Sequence, residues 1–72
     1  MPTQMSARNQ LKAVVKSVKL GTVMAEVVVE LSNGEQITSA ITRGSAEALN
    51  LNQGDRVTAI IKSTEVMIGK DA

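Results

Sequence analysis

The sequence predicts an all-β fold with one short helix. Three observations carry that expectation: apolar residues recur at every second position in several runs, Val and Ile dominate those runs, and turn-forming residues separate them at short intervals. Of the 72 residues, 43% are hydrophobic, yet Phe, Tyr and Trp are all absent, so the core has to be built from Val, Ile, Leu, Ala and Met.

Residues 1–5 carry a Pro and no periodicity and read as a loose arm. The first strand is expected over residues 10–20, where Leu11, Ala13 and Val15 alternate with Lys12, Val14 and Lys16 and where Val18 and Leu20 extend the run; Gly21-Thr22 breaks it. The second, over residues 23–31, has the strongest signal: Ala25, Val27, Val29 and Leu31 share one face, and Met24, Glu26, Val28 and Glu30 the other. That second face is mixed rather than polar, which suits a strand covered on one side by its own core and on the other by a neighbouring subunit. Asn33-Gly34 signals a hairpin, since both residues tolerate the positive φ of a type I′ turn. A third strand follows over residues 36–42, with Ile37, Ser39 and Ile41 in phase.

After Thr42 the period changes. Ser45 as N-cap with Ala46-Glu47-Ala48-Leu49 behind it predicts a helical turn or two, with Glu47 favourable in the first turn. The stretch from Asn50 to Asp55, containing Gly54, turns the chain back into a fourth strand over residues 56–62, and a short fifth is expected over residues 65–68. Three strands, a helix and two strands describe a five-stranded OB-like Greek-key barrel with one short helix. An SH3-like barrel is the nearest rival. No linker divides the chain, so residues 6–69 form one domain, with residues 70–72 as a tail.

A domain of this size buries barely enough apolar surface to offset its lost chain entropy. With no Cys for disulfides and neither Cys nor His for structural zinc, oligomerisation is the staple that remains. A shared core also compensates for the missing aromatics, which would each have buried a large area.

Several function classes are disfavoured by composition. Catalysis lacks His and Cys, and no glycine elbow surrounds the serines, so the chain does not read as an enzyme. Glu26 and Glu30 lie about 13 Å apart at strand rise, too far for one metal cation, and read as a solvated or intersubunit stripe. The five glycines stand singly and form no phosphate-cradling motif. A net charge of +1 argues against a general nucleic-acid binder, and no window approaches the roughly 20 apolar residues of a membrane span. No apolar signal core follows a charged N-terminus, so the expected location is cytoplasmic.

Three short polar segments remain. Ser6-Ala7-Arg8-Asn9-Gln10 stacks hydrogen-bond donors and a permanent cation before the first strand; it reads as half of a small-anion site or, equally, as a hydrated arm. Thr42 and Ser45 flank the helix start, where unpaired amides favour an anion, with plain capping by Ser45 as the other reading. Lys62-Ser63-Thr64 ends the apolar run Ala59-Ile60-Ile61. Lys12, Lys16 and Lys19 read as solvated charges on a strand face.

Taken together, Ser6-Ala7-Arg8-Asn9-Gln10-Leu11, Ala25-Glu26-Val27, the stretch from Ile37 to Thr42, and the stretch from Ala59 to Ile68 with its Lys62-Ser63-Thr64 and Val66-Met67-Ile68 closely resemble the molbindin (Mop) family of molybdate-binding proteins. The resemblance covers residues 5–69. It implies the family's free-standing form: an OB-like barrel assembled into a hexamer, a trimer of dimers, holding molybdate or tungstate at subunit interfaces for intracellular storage and homeostasis. The family's interface site maps here onto Ser6, Ala7 and Arg8, onto Thr42 and Ser45, and onto Lys62 and Ser63. A second site class on threefold axes is implied as well, for which Thr22 and Val23 are offered. Arg43, beside Thr42, is not carried over as a ligand.

A tetrahedral dianion only accepts hydrogen bonds, so its pocket needs several donors and about two positive charges to offset lost hydration. Arg8 and Lys62 supply the charges; four hydroxyls and the amides of Ala7 and Ser63 supply directed bonds. The alternative is a small barrel that binds single-stranded nucleic acid or a partner protein. Single-strand binders stack bases on aromatic side chains, which this chain lacks.

Overall fold

A computed structural model describes residues 4–71. Of the loose arm expected over residues 1–5, residues 1–3 lie outside the described part, as does residue 72 of the tail. Four strands and one helix are present: β1 (Asn9–Leu20), β2 (Met24–Leu31), β3 (Gln36–Thr42), α1 (Arg43–Ala48) and β4 (Arg56–Ile61). They form one antiparallel sheet in the order β3-β2-β1-β4. A meander of three strands with the fourth returning beside the first is the Greek-key order.

The core lies on one face of that sheet. Val15, Ala13, Val27 and Val29 are buried in it, and Val18, Leu31, Ile37, Ile41, Leu51, Val57 and Ala59 pack around them. β2 therefore buries the predicted face, and β3 directs Ile37 and Ile41 to the same side. β1 holds one irregularity. Val15 pairs with Val29 but Ser17 pairs with Val28, so Lys16 is an extra residue in a β-bulge. The bulge explains why the apolar phase changes from Ala13 and Val15 to Val18: one added residue moves the inward side from odd to even positions. Lys16 is exposed and its ammonium lies 3.7 Å from Glu30 Oε2.

The β2–β3 hairpin departs from expectation. Only Gly34 has positive φ (89°), whereas a type I′ turn requires it at Asn33 too. The connection is instead a three-residue loop: the Gly34 N–H donates to Leu31 O (3.0 Å) and the Leu31 N–H to Glu35 O (2.8 Å), with Gly34 as the left-handed residue. Asn33 serves by side chain, its Oδ1 accepting from the Glu35 N–H at 3.0 Å.

α1 starts three residues earlier than predicted, and its N-cap is Thr42, not Ser45. Thr42 is extended (φ −69°, ψ 149°) and its Oγ1 accepts from the Ser45 N–H at 3.0 Å. The first turn is thus Arg43-Gly44-Ser45 and holds no acid; Glu47 falls beyond it and meets Arg43 one turn back (Nε to Oε1, 3.3 Å). At the other end Asn50 is left-handed (φ 49°), the Asn50 N–H donates to Glu47 O and the Leu51 N–H to Ala46 O. This is a Schellman closure, and it turns Leu51 back toward buried Ala46.

The predicted fifth strand is not formed. Residues Ser63–Glu65 make a 3-10 turn, and no strand follows among the described residues. Val66-Met67-Ile68 carries strand-forming side chains, but a strand needs a partner's backbone, and here Met67 and Ile68 are 91% and 89% exposed. β3 and β4 are the two edges of the sheet, and among the described residues no strand joins them.

Candidate functional site

The register of β1 against β4 decides which polar segments meet. Asn9 pairs with Ile61, so Ser6-Ala7-Arg8, entering β1, and Lys62-Ser63, leaving β4, lie side by side at one end of the sheet. Two side chains tie this end together. Asn9 Nδ2 donates to Ile61 O (3.1 Å), stapling the strand that follows Arg8 to the strand that precedes Lys62. Gln10 Nε2 donates to Ala7 O (2.8 Å), folding the entering segment back onto β1. Neither residue stood among the expected site residues, although both are in the opening polar segment.

This cluster is rich in unspent donors. Arg8, Lys62, Ser6 and Ser63 are exposed. Neither Arg8 nor Lys62 has a carboxylate within ion-pair distance among the described residues, where the pairs are Lys16–Glu30 and Arg43–Glu47. The Ala7 N–H donates to no turn or loop carbonyl, and Ser63 opens the 3-10 turn with no side-chain cap beneath it. Two cations, two hydroxyls and two backbone amides lie on the adjoining ends of β1 and β4, a donor set suited to an oxyanion.

Thr42 and Ser45 are placed elsewhere. β1 is 12 residues long and would span about 36 Å if straight. Asn9 stands at its start, whereas Thr42 pairs with Met24 beside the β1 terminus at Leu20. The two halves therefore sit at opposite ends of β1, and no hydrogen bond joins them among the described residues. The Thr42–Ser45 pair is preorganised on its own: Thr42 Oγ1 donates to Ser45 Oγ at 2.7 Å, which leaves the Ser45 hydroxyl proton available. Replacing Thr42 by Ala should cost about 1 kcal/mol of stability through the lost cap, read as a lower urea midpoint at unchanged slope.

Thr22 and Val23 occupy the tight turn between β1 and β2, close to Thr42. The Gly21 N–H donates to Met24 O at 2.7 Å, and a Cβ at Gly21 would lie 2.9 Å from that oxygen, so the turn requires glycine. Val23 is 69% exposed. Arg43 braces this turn: its N–H donates to Val23 O (2.7 Å) and its Nη1 to Gly21 O (3.2 Å). Its guanidinium is thus engaged by backbone and by Glu47.

The TOBE-domain family profile matches residues 5–68. The chain belongs to the TOBE-domain family. Molybdenum-pterin-binding protein 3 of Clostridium pasteurianum is 54% identical to this TOBE domain over 63 residues, 88% of this chain and 93% of the relative. Among solved structures, MopII of C. pasteurianum superposes with a TM-score of 0.88 at 49% identity, covering 93% of this chain and all of the other. A molybdate-binding protein of Sporomusa ovata does so with 0.88 at 43%, covering 94% of this chain and 100% of its own. The resemblance to the Mop proteins thus holds for sequence and for structure, and these relatives are named for binding rather than for catalysis.

Proposed function

We propose that this TOBE domain binds molybdate, and tungstate with it, in pockets between chains of a cytoplasmic homo-oligomer, a hexamer built as a trimer of dimers, and so serves molybdenum storage and homeostasis. The observation that carries the reading is the split donor set. Ser6, Ala7, Arg8, Lys62 and Ser63 gather at one end of β1, and Thr42 and Ser45 at the other, so one chain offers two half-pockets. A half-pocket leaves a dianion largely in water; two halves from neighbouring chains surround it with charge and directed donors, enough to offset its dehydration.

The turn at Thr22 and Val23, exposed and held rigid by Gly21 and Arg43, is the surface we assign to a second class of anion site on a threefold axis.

Calorimetric titration with molybdate, tungstate, sulfate and phosphate at fixed salt tests the function. Molybdate and tungstate should give strong, similar heats. Sulfate should bind weakly because it is smaller than a rigid pocket requires, and phosphate because at pH 7 it keeps a proton that a pocket of donors poorly accepts. Equal weak heats for all four would refute the proposal.

A further inference from the structure

The near-neutral net charge conceals a segregation of charge within the sheet. On the face of β1–β4 turned away from the core, the register stacks Val14 with Arg56, Lys12 with Thr58 and Gln10 with Ile60, and the row beyond, past Asn9–Ile61, is flanked by Arg8 and Lys62. Lys12, Arg56, Arg8 and Lys62 are all exposed. None has an ion-pair partner among the described residues. No acid lies on this face of the two strands. Three acids border it: Glu30, across from Val14 on β2, is held by Lys16; Asp55, just before β4, accepts from the Asn52 N–H at 2.8 Å; Glu65 sits in the 3-10 turn. An open groove of about 670 Å³ beside Lys12 and Arg56 is lined from this face by Val14, Thr58 and Glu30 as well, and from the core side by Ala13, Leu31 and Val57.

We infer that Lys12 and Arg56 form an electrostatic approach surface that collects small dianions from solution and delivers them along β1–β4 to the pocket at Arg8 and Lys62. This rests on the proposed oxyanion site. Measured along the strands, Arg56 and Lys12 stand two residues apart, about 7 Å, and Lys12 and the level of Arg8 and Lys62 four residues, about 13 Å. At physiological ionic strength the Debye length of about 8 Å spans only the shorter step, whereas at about 0.01 M it reaches about 30 Å and the four fields overlap into one attractive track. An anion captured anywhere along the track searches one dimension instead of three. The occupant is a small anion rather than a nucleic-acid strand, because no aromatic side chain is available to stack a base. Lys12 and Arg56 lie away from the proposed ligands, so they govern arrival rather than retention.

Stopped-flow ultraviolet absorbance of molybdate mixed with the unaltered protein and with the Lys12→Gln/Arg56→Gln double variant separates the two effects. At low salt the double variant should associate roughly 3- to 10-fold more slowly, with its dissociation rate unchanged, and the difference should vanish near 0.5 M salt, an ionic strength at which about 4 Å of screening isolates each charge. Lys12→Glu/Arg56→Glu should deepen the loss. Equal association rates at low salt would overturn this inference alone; failure of the unaltered protein to bind molybdate would overturn the proposed function and this inference with it. Tight, salt-sensitive binding of a single-stranded oligonucleotide, abolished by the same substitutions, would overturn the assignment to small anions.

Discussion

Replacing Arg8 by Ala should weaken molybdate binding by about 1.5–3 kcal/mol, the value of a hydrogen bond to a charged partner, or roughly 10- to 150-fold in Kd. The argument is one of supply. A dianion in the proposed pocket meets two cations, Arg8 and Lys62, and Arg8 alone presents a planar fork that spans two oxygens of one tetrahedron. Its removal takes away a charge and a pair of directed donors together. Arg8→Lys should fall between, keeping the charge and losing the fork. Because Arg8 is exposed and has no ion-pair partner among the described residues, neither variant should alter folding, and circular dichroism and the urea midpoint should match the unaltered protein. Calorimetry supplies the affinities; an Arg8→Ala protein of unchanged affinity would remove Arg8 from the site and leave the Lys62 half-pocket without its main charge.

How much of this was legible beforehand depends on what each element needs. β2 and β3 could be read to within a residue, because a strand with one buried face writes its period directly into the order of side chains. The Mop resemblance rested on short segments: two cross a strand end, at the start of β1 and the end of β4, and two lie within β2 and β3. Harder to read was anything decided by backbone pairing. The bulge at Lys16 left a trace, since Ala13 and Val15 are followed by Val18, not by an apolar residue at 17, but alternation alone does not say whether a phase change is a bulge or a strand end. The cap on α1 went to Thr42 because the chain leaving β3 is already extended there, the conformation an N-cap requires, and Ser45 three residues on supplies the N–H it accepts.

The residues proposed for the site can be named from the sequence, but their arrangement cannot. Ser6 to Arg8 and Lys62 to Ser63 meet because Asn9 happens to pair with Ile61, and only the register says so. The same register separates Thr42 and Ser45 from them. The cationic face was hidden for a related reason: Lys12 is only a solvated charge when β1 is read alone, and becomes part of a track once Arg56 and Thr58 are set beside it. Counting parity outward from the paired strands would have found it.

Placing a charge in the segment that failed to form a fifth strand should dissolve the proposed oligomer. Met67→Asp/Ile68→Asp is expected to lower the mass seen by light scattering from that of the proposed hexamer to that of a smaller species, with molybdate affinity falling alongside, since the proposed pocket takes donors from two chains. The reasoning begins with the core: among the described residues of one chain six are buried, three of them alanines, and the largest is Val. Such a core is thin, while Met67 and Ile68 stand almost wholly exposed and both sheet edges are open. Burying a side chain of either kind contributes about 1.5–3 kcal/mol, repeated in every chain of a symmetric assembly, and a carboxylate in the same place would have to be dehydrated instead. The sheet itself should survive the substitutions, because neither residue packs against its core, and a β-sheet signal retained at lower mass would locate the loss in assembly. Molybdate at saturating concentration should partly restore the larger species, because a ligand bound only between chains favours the assembled state. A full-sized oligomer in the double variant would show that chains meet through another surface, and a monomeric unaltered protein would refute the shared core altogether.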